Sequence, residues 1–120
     1  MFGLGDLEGA VMDVLWRAQS PVKVRDVLET LSVNRKLAYT TVMTVLDNLH
    51  RKGWAERERD GKAYRYRPAF TREEAAVRAL REALDASGNP RAALLHFANS
   101  ASERETEILR AALAAKANRQ

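Results

Sequence analysis

Four polar side chains recur at the spacing that a helix needs to place them in one row: Thr41, Thr44, Asn48 and Arg51. Their hydroxyl, amide and guanidinium groups can donate hydrogen bonds to phosphates and base edges, and threonine methyls can pack on thymine methyls. The alternative is an ordinary solvent face, which favours Glu, Lys, Gln and Ala. Since Thr40, Thr41 and Thr44 all cost helix propensity, we favour a surface that binds nucleic acid.

A cationic segment follows this row of side chains. Residues 51–67 contain seven Lys or Arg and three Asp or Glu, a net charge of +4 that equals the charge of the whole chain. Lys62 and Arg65 are candidate phosphate ligands within it. A solvated hairpin with chance charges is the alternative. Tyr64 and Tyr66 share one face of the predicted hairpin, and we expect that face to pack on the core.

Three predicted helices and a hairpin must position these residues. Apolar residues at helical spacing predict a first helix from Asp6, as N-cap, to about Gln19, and a second over 24–31 after a short extended piece at 22–24. The third helix is predicted over about 38–52, ended by Gly53. Asp60-Gly61 predicts the tight turn of a hairpin between alternating strands.

Three more helices are predicted after the hairpin. Thr71-Arg-Glu-Glu74 and Ser102-Glu-Arg-Glu105 are capping boxes, and Asn89-Pro90 marks another helix start. The fold class is therefore mostly α with a small β-hairpin wing, a winged helix-turn-helix followed by C-terminal dimerisation helices. We predict a DNA-binding domain over 1–70 and a helical dimerisation region over 71–120.

The C-terminal helices carry more apolar residues than three short helices can hide. We therefore predict a homodimer interface formed by Leu80, Leu84, Leu94, Leu95, Phe97, Ile108, Leu109 and Leu113. Two copies would also roughly double the base pairs that are read, since each mismatch costs only about 1 to 3 kcal/mol. A symmetric dimer predicts a palindromic double-stranded DNA site.

Composition excludes several other classes. The 120-residue chain has no cysteine, so it has no disulfide framework, thiolate metal site or cysteine nucleophile. Its two histidines form no ligand cluster, and we expect no metal and no cofactor. The sequence offers no paired carboxylates in a plausible pocket, no Gly-rich phosphate loop and no nucleophile with a base, so we predict no enzyme. Without an apolar run of roughly 20 residues or a signal peptide, we expect a cytoplasmic protein with no membrane partner.

The string Leu37-Ala-Tyr-Thr-Thr-Val-Met-Thr-Val-Leu-Asp-Asn-Leu49, followed by Lys52-Gly53 and Asp60-Gly-Lys62, resembles the penicillinase-repressor family of winged-helix regulators, the BlaI/MecI type. The resemblance starts at Leu7-Glu8 and extends to Leu94-Leu-His-Phe97. It implies a transcriptional repressor that binds a dyad operator as a homodimer.

The resemblance also implies roles for single residues. Family members use on DNA the positions that match Thr40, Thr41, Met43, Thr44 and Asn48, and Lys62 matches a phosphate-contacting position. Some relatives carry basic side chains at the positions of Thr40, Met43 and Asn48. In the family an inducing protease cleaves within the C-terminal helices, and His96-Phe97 matches that region, where some relatives carry Asn-Phe.

Two other functions are compatible with the residues. A winged helix can serve as a protein-interaction module, whose affinity would respond weakly to salt. It can also be an architectural DNA binder, which would keep the salt response but lose the preference for a palindrome.

Overall fold

The structure, a computed structural model, describes residues 1–119. The chain divides into two compact units, Met1–Ala79 and Leu80–Gln120. The first contains α1 (Asp6–Arg17), β1 (Val22–Lys23), α2 (Val24–Leu31), α3 (Tyr39–Arg51), β2 (Ala55–Asp60), β3 (Ala63–Pro68) and the start of α4 (Arg72–Ala86). The second contains the end of α4, α5 (Pro90–Ser100) and α6 (Glu103–Asn118). The prediction of a mostly helical fold with one small hairpin is confirmed.

The core of the first unit is formed by the apolar faces of its first three helices. The side chains with almost no exposed surface are Val11, Met12 and Leu15 of α1, Val27 of α2, and Val42, Leu46 and Leu49 of α3. They recur at the three- and four-residue spacing of a helix, so each helix buries one stripe and leaves the other to solvent. This burial fixes which side of α3 is exposed.

The three strands form an antiparallel sheet in the order β1-β3-β2. The predicted extended piece at 22–24 is strand β1, in which Val22 pairs with Tyr66. Asp60 pairs with Ala63, so the two loop residues of the hairpin are Gly61 and Lys62. The prediction that placed the turn at Asp60-Gly61 is therefore wrong by one residue. Gly61 has a φ of +65°, which glycine adopts without strain at the first position of such a turn.

The N-terminus of α1 differs from its prediction. Gly5, and not Asp6, is the N-cap residue, and Glu8 accepts a hydrogen bond from the Gly5 amide at 3.3 Å. The Asp6 carboxylate instead pairs with Arg35 at 2.9 Å. The helix ends at Arg17, two residues before the predicted end, because Ala18 is already extended.

A salt bridge joins α1 to the end of α3. Lys52 Nζ lies 2.7 Å from Glu8 Oε2, and this hydrogen bond lowers the pKa of Glu8 below its usual value. The amine and the carboxylate thus hold the two helices together at a point outside the apolar core.

Aromatic side chains connect α1, the wing, which is the hairpin formed by β2 and β3, and the start of α4. Trp16 Nε1 donates a hydrogen bond to the Phe70 carbonyl at 3.0 Å. The ring of Trp54 packs between those of Trp16 and Phe70, with centroid distances of 6.4 and 4.9 Å. Arg72 stacks on Trp16 with its guanidinium 4.9 Å from the ring centroid. The two tryptophans are therefore structural residues of the first unit.

Helix caps after the wing lie where the sequence predicted them. Glu74 N donates to Thr71 Oγ1 at 3.0 Å, Ala92 N to Asn89 Oδ1 at 3.1 Å, and Glu105 N to Ser102 Oγ at 3.1 Å. Gly88 has a φ of +77° after α4. Of residues 1–119, none belongs to a helix that is both long enough and apolar enough to cross a membrane.

Candidate nucleic-acid interface

The exposed side of α3 carries the row of polar side chains. Because Val42, Leu46 and Leu49 are buried, the opposite side of the helix faces solvent. It carries Thr40, Thr41, Met43 and Thr44, all exposed, and Asn48, which is half-buried. The structure therefore brings all the predicted α3 residues onto one accessible surface. Side chains this short let a helix approach a base edge closely.

Arg51 ends this row and is held by its own helix. Its Nε lies 3.2 Å from Asp47 Oδ2, and its Nη2 donates a hydrogen bond to Asn48 Oδ1. The side chain is still two-thirds exposed. The guanidinium is therefore directed along the exposed surface of α3, within reach of an anion in solvent.

The wing presents its cations unequally. Lys62 lies exposed at the tip of the hairpin and forms no ion pair with the residues that the structure describes. Arg65 Nε lies 2.8 Å from Asp60 Oδ2, and Lys23 Nζ lies 3.8 Å from the same oxygen. Lys62 is thus immediately available to a phosphate. Arg65 could bind a phosphate only by dividing its hydrogen bonds between that phosphate and Asp60, or by breaking its pair with Asp60.

The two tyrosines of β3 pack as expected from their common face. Tyr66 is buried and Tyr64 is half-buried, with ring centroids 6.3 Å apart. They belong to the sheet's packing surface, so they are not free to stack on bases.

A shallow groove of about 340 Å³ lies between α3 and the wing. Its lining residues are Met43, Thr44, Asp47, Arg57, Tyr64 and Tyr66. Arg57 reaches across it from β2. Its Nη1 atom lies 3.0 Å from Asp47 Oδ1 and 3.4 Å from Tyr66 Oη. Its guanidinium lies 4.1 Å from the ring centroid of Tyr64. The hydrogen bonds to Tyr66 and Asp47 raise the pKa of Arg57, which stays charged.

Sequence reasoning missed Asp47. The i,i+4 spacing of Asp47 and Arg51 was an available signal, since such pairs meet on a helix surface. The contact between Asp47 and Arg57 had no such signal, because it depends on how the wing packs against α3.

The predicted interface residues lie on the second unit, apart in sequence from this surface. Leu80, Leu94, Leu95, Phe97, Ile108, Leu109 and Leu113 are between 40% and 63% exposed, and Leu84 is half-buried. Neither α5 nor α6 buries any of its residues among those described. His96 and Phe97 are both exposed on α5. No group of three or more His, Asp or Glu in residues 1–119 is arranged to hold a metal ion.

Comparison with known proteins agrees with these observations. A sequence model described as "Penicillinase repressor" matches residues 4–115. The transcriptional regulator BlaI of Mycobacterium tuberculosis is 50% identical over 115 residues, which are 92% of this chain and 83% of that protein. Both matches are to regulators of transcription, not to enzymes.

Two solved structures resemble the chain. One is the solution structure of the DNA-binding domain of the repressor BlaI, 26% identical, with a TM-score of 0.53 over 60% of this chain and 87% of that one. The other is the monomeric form of Bacillus licheniformis BlaI in complex with the blaP half-operator, 27% identical, with a TM-score of 0.50 over 59% of this chain and 85% of that one. Both confirm the predicted winged-helix arrangement.

Proposed function

The chain belongs to the penicillinase repressor family, and we propose that this transcriptional repressor binds a palindromic DNA operator as a homodimer. The observation that carries the proposal is the exposed row of short polar side chains on α3 beside a cationic wing. In this proposal residues 1–70 bind DNA and residues 71–120 form the dimer.

We assign α3 to the major groove. Thr41, Thr44 and Asn48 face the base edges, where hydroxyl and amide groups can read the pattern of donors and acceptors. Thr40 and Met43 flank this row and contact the groove wall. Arg51 lies at the end of the helix, where its guanidinium can reach the edge of a guanine.

The wing supplies contacts to the DNA backbone. Lys62 at the hairpin tip and Arg65 on β3 neutralise phosphates, which fixes the position of α3 without reading sequence. The contact with DNA gives Arg65 a second anion beside Asp60. Binding that uses these cations must weaken as salt rises, because each neutralised phosphate releases counterions.

The second copy is expected to cover the apolar residues of the C-terminal helices. Leu94, Phe97, Leu109 and Leu113 are each at least 40% exposed, and such a concentration of exposed apolar side chains marks an interaction surface. In a symmetric dimer the same surface meets itself. The two α3 helices would then read half-sites about one helical turn, roughly 34 Å, apart.

Dimerisation makes the C-terminal helices the place where an inducing signal acts. We propose that an inducing protease cleaves in the region of His96 and Phe97, which are exposed on α5. Cleavage there would separate α6 and its leucines from the DNA-binding residues. The resulting loss of the dimer would release the operator, because one half-site provides about half of the discrimination.

The test is a titration of the purified chain onto DNA from upstream of its own gene and onto a scrambled duplex of equal length, at several salt concentrations. We expect two protomers to bind the first duplex tightly, with a strong salt response and a large preference over the second. Equal affinity for both would favour an architectural binder. Binding to neither would favour a protein-interaction module.

A further inference from the structure

Asp47 occupies an unusual position for a carboxylate on a surface that meets DNA. Its side chain is 41% exposed, and it lies on the wall of the groove between α3 and the wing. A carboxylate at this place repels any phosphate that approaches it. The residue therefore weakens contact with the DNA backbone at the very surface that the proposed function assigns to DNA.

Both oxygens of this carboxylate are engaged by arginines. Oδ1 lies 3.0 Å from Arg57 Nη1 of β2, and Oδ2 lies 3.2 Å from Arg51 Nε of α3. One negative charge thus holds two guanidinium groups, one from the wing and one from α3. A phosphate can take either arginine only by competing with a carboxylate that is already in place.

Arg57 is the more firmly held of the two arginines. It is 24% exposed, against 68% for Arg51, and it also stacks on Tyr64 and contacts Tyr66 Oη. The pair formed by Arg57 and Asp47 consequently joins the wing to α3 before any DNA is bound. Groups that are ordered in advance cost less to order on binding.

We propose that Asp47 is a specificity-determining residue, whose carboxylate withholds Arg51 and Arg57 from DNA phosphates and so lowers the affinity for non-operator DNA. This inference rests on the proposed function. On the operator, α3 lies in one fixed register. In this register neutral base edges, and not phosphates, face the groove between α3 and the wing, so the pair of Asp47 with Arg57 stays intact. On other DNA the protein binds the phosphate backbone of the duplex in many positions. In these positions phosphates approach the Asp47 carboxylate, which repels them.

The test compares Asp47→Asn with the wild-type chain on the operator duplex and on the scrambled duplex. We expect the variant to bind the scrambled duplex about fivefold more tightly, the size of one charge repulsion at contact distance in water. Its slope of log K against log salt on that duplex should be steeper by about 1 to 2, because two freed guanidinium groups can each neutralise a phosphate. Operator affinity should change by less than about twofold, so the preference falls.

Three further variants serve as controls. Asp47→Glu keeps the charge and should retain most of the wild-type preference. Asp85→Asn removes the same charge from an exposed position of α4 and should leave the preference unchanged. Asp47→Ser is a second neutral variant, which is used if thermal unfolding shows that Asp47→Asn does not fold.

The outcomes separate this inference from the function on which it rests. A neutral variant that gains equally on both duplexes, or on neither, overturns the role of Asp47 while the repressor function stands. An equal loss of preference in Asp85→Asn also overturns it, because the effect would then follow net charge alone. Wild-type protein without any preference for the operator overturns both.

Discussion

Replacing Thr44 by Glu tests the assignment of α3 more severely than any other single change. Thr44 is exposed in the middle of the polar row and lines the groove beside the wing. A glutamate at this position lies three residues before Asp47, and a like-charge pair at that spacing costs a helix only about 0.2 to 0.5 kcal/mol. We therefore expect the free energy of unfolding to fall by no more than about 0.5 kcal/mol.

The expected effect on DNA binding is much larger. In a major groove the new carboxylate lies between two rows of phosphates. It also faces base edges whose hydrogen-bonding groups the Thr44 hydroxyl can pair with. Like charges that face each other across an interface cost several kcal/mol. A cost of about 3 kcal/mol corresponds to a loss of more than about 100-fold in affinity. The operator affinity of Thr44→Glu should fall by at least that factor.

The assay is fluorescence anisotropy on a labelled operator duplex at one fixed salt concentration, together with thermal unfolding of each protein. Thr30→Glu is the matched control. Thr30 is also exposed on a helix, but it lines a groove formed with α1 residues such as Asp13 and Arg17. We expect the control to bind nearly as well as the wild type. Operator affinity of Thr44→Glu within about threefold of wild type, or an equal loss in both variants, would show that α3 does not lie in the major groove.

Three other substitutions test the wing, the dimer interface and the pair of Glu8 with Lys52 separately. Lys62→Ala should lower the slope of log K against log salt by about 0.9, the contribution of one phosphate contact, on operator and scrambled DNA alike; an unchanged slope would exclude Lys62 from the backbone contacts. Leu109→Asp should give monomers in sedimentation and weaken operator binding, whereas a persistent dimer would contradict the interface assignment. Glu8→Gln should reduce the loss of stability in acid. The lowered pKa of Glu8 means that its pair with Lys52 stabilises the fold above the usual pKa of 4.5 and is lost as pH falls below it. An acid unfolding curve that matches the wild type would refute that role.

The helices could be predicted because their apolar residues recur with the period of a helix and their ends carry strong local signals. Ser102 and Glu105, for example, form their capping box from residues three apart in sequence. The N-cap of α1 was misplaced because Gly5 and Asp6 are neighbours and both are residue types that favour this position. Asp6 is taken by Arg35, 29 positions away in the chain, so only the tertiary structure decides which residue caps the helix.

In the candidate interface, too, local features could be predicted from the sequence, whereas tertiary contacts could not. The row on α3 depends only on helix geometry and on which side is apolar, and both can be read from the sequence. The contacts of Arg57 with Asp47, Tyr64 and Tyr66 depend on how the wing packs against α3. The turn was misplaced for a related reason: Gly61 can serve as the first or the second loop residue, and the pairing of Asp60 with Ala63 decides between them.

We propose that α3 and the wing form the surface that meets the operator. Amide chemical shifts of the isotope-labelled chain, followed by NMR as an operator half-site duplex is added, test it most directly. We expect the largest changes on α3, from Thr40 to Arg51, and on Lys62 and Arg65 of the wing. Changes concentrated instead on α1 and α2, around Ala10 and Thr30, with α3 unaffected, would contradict it.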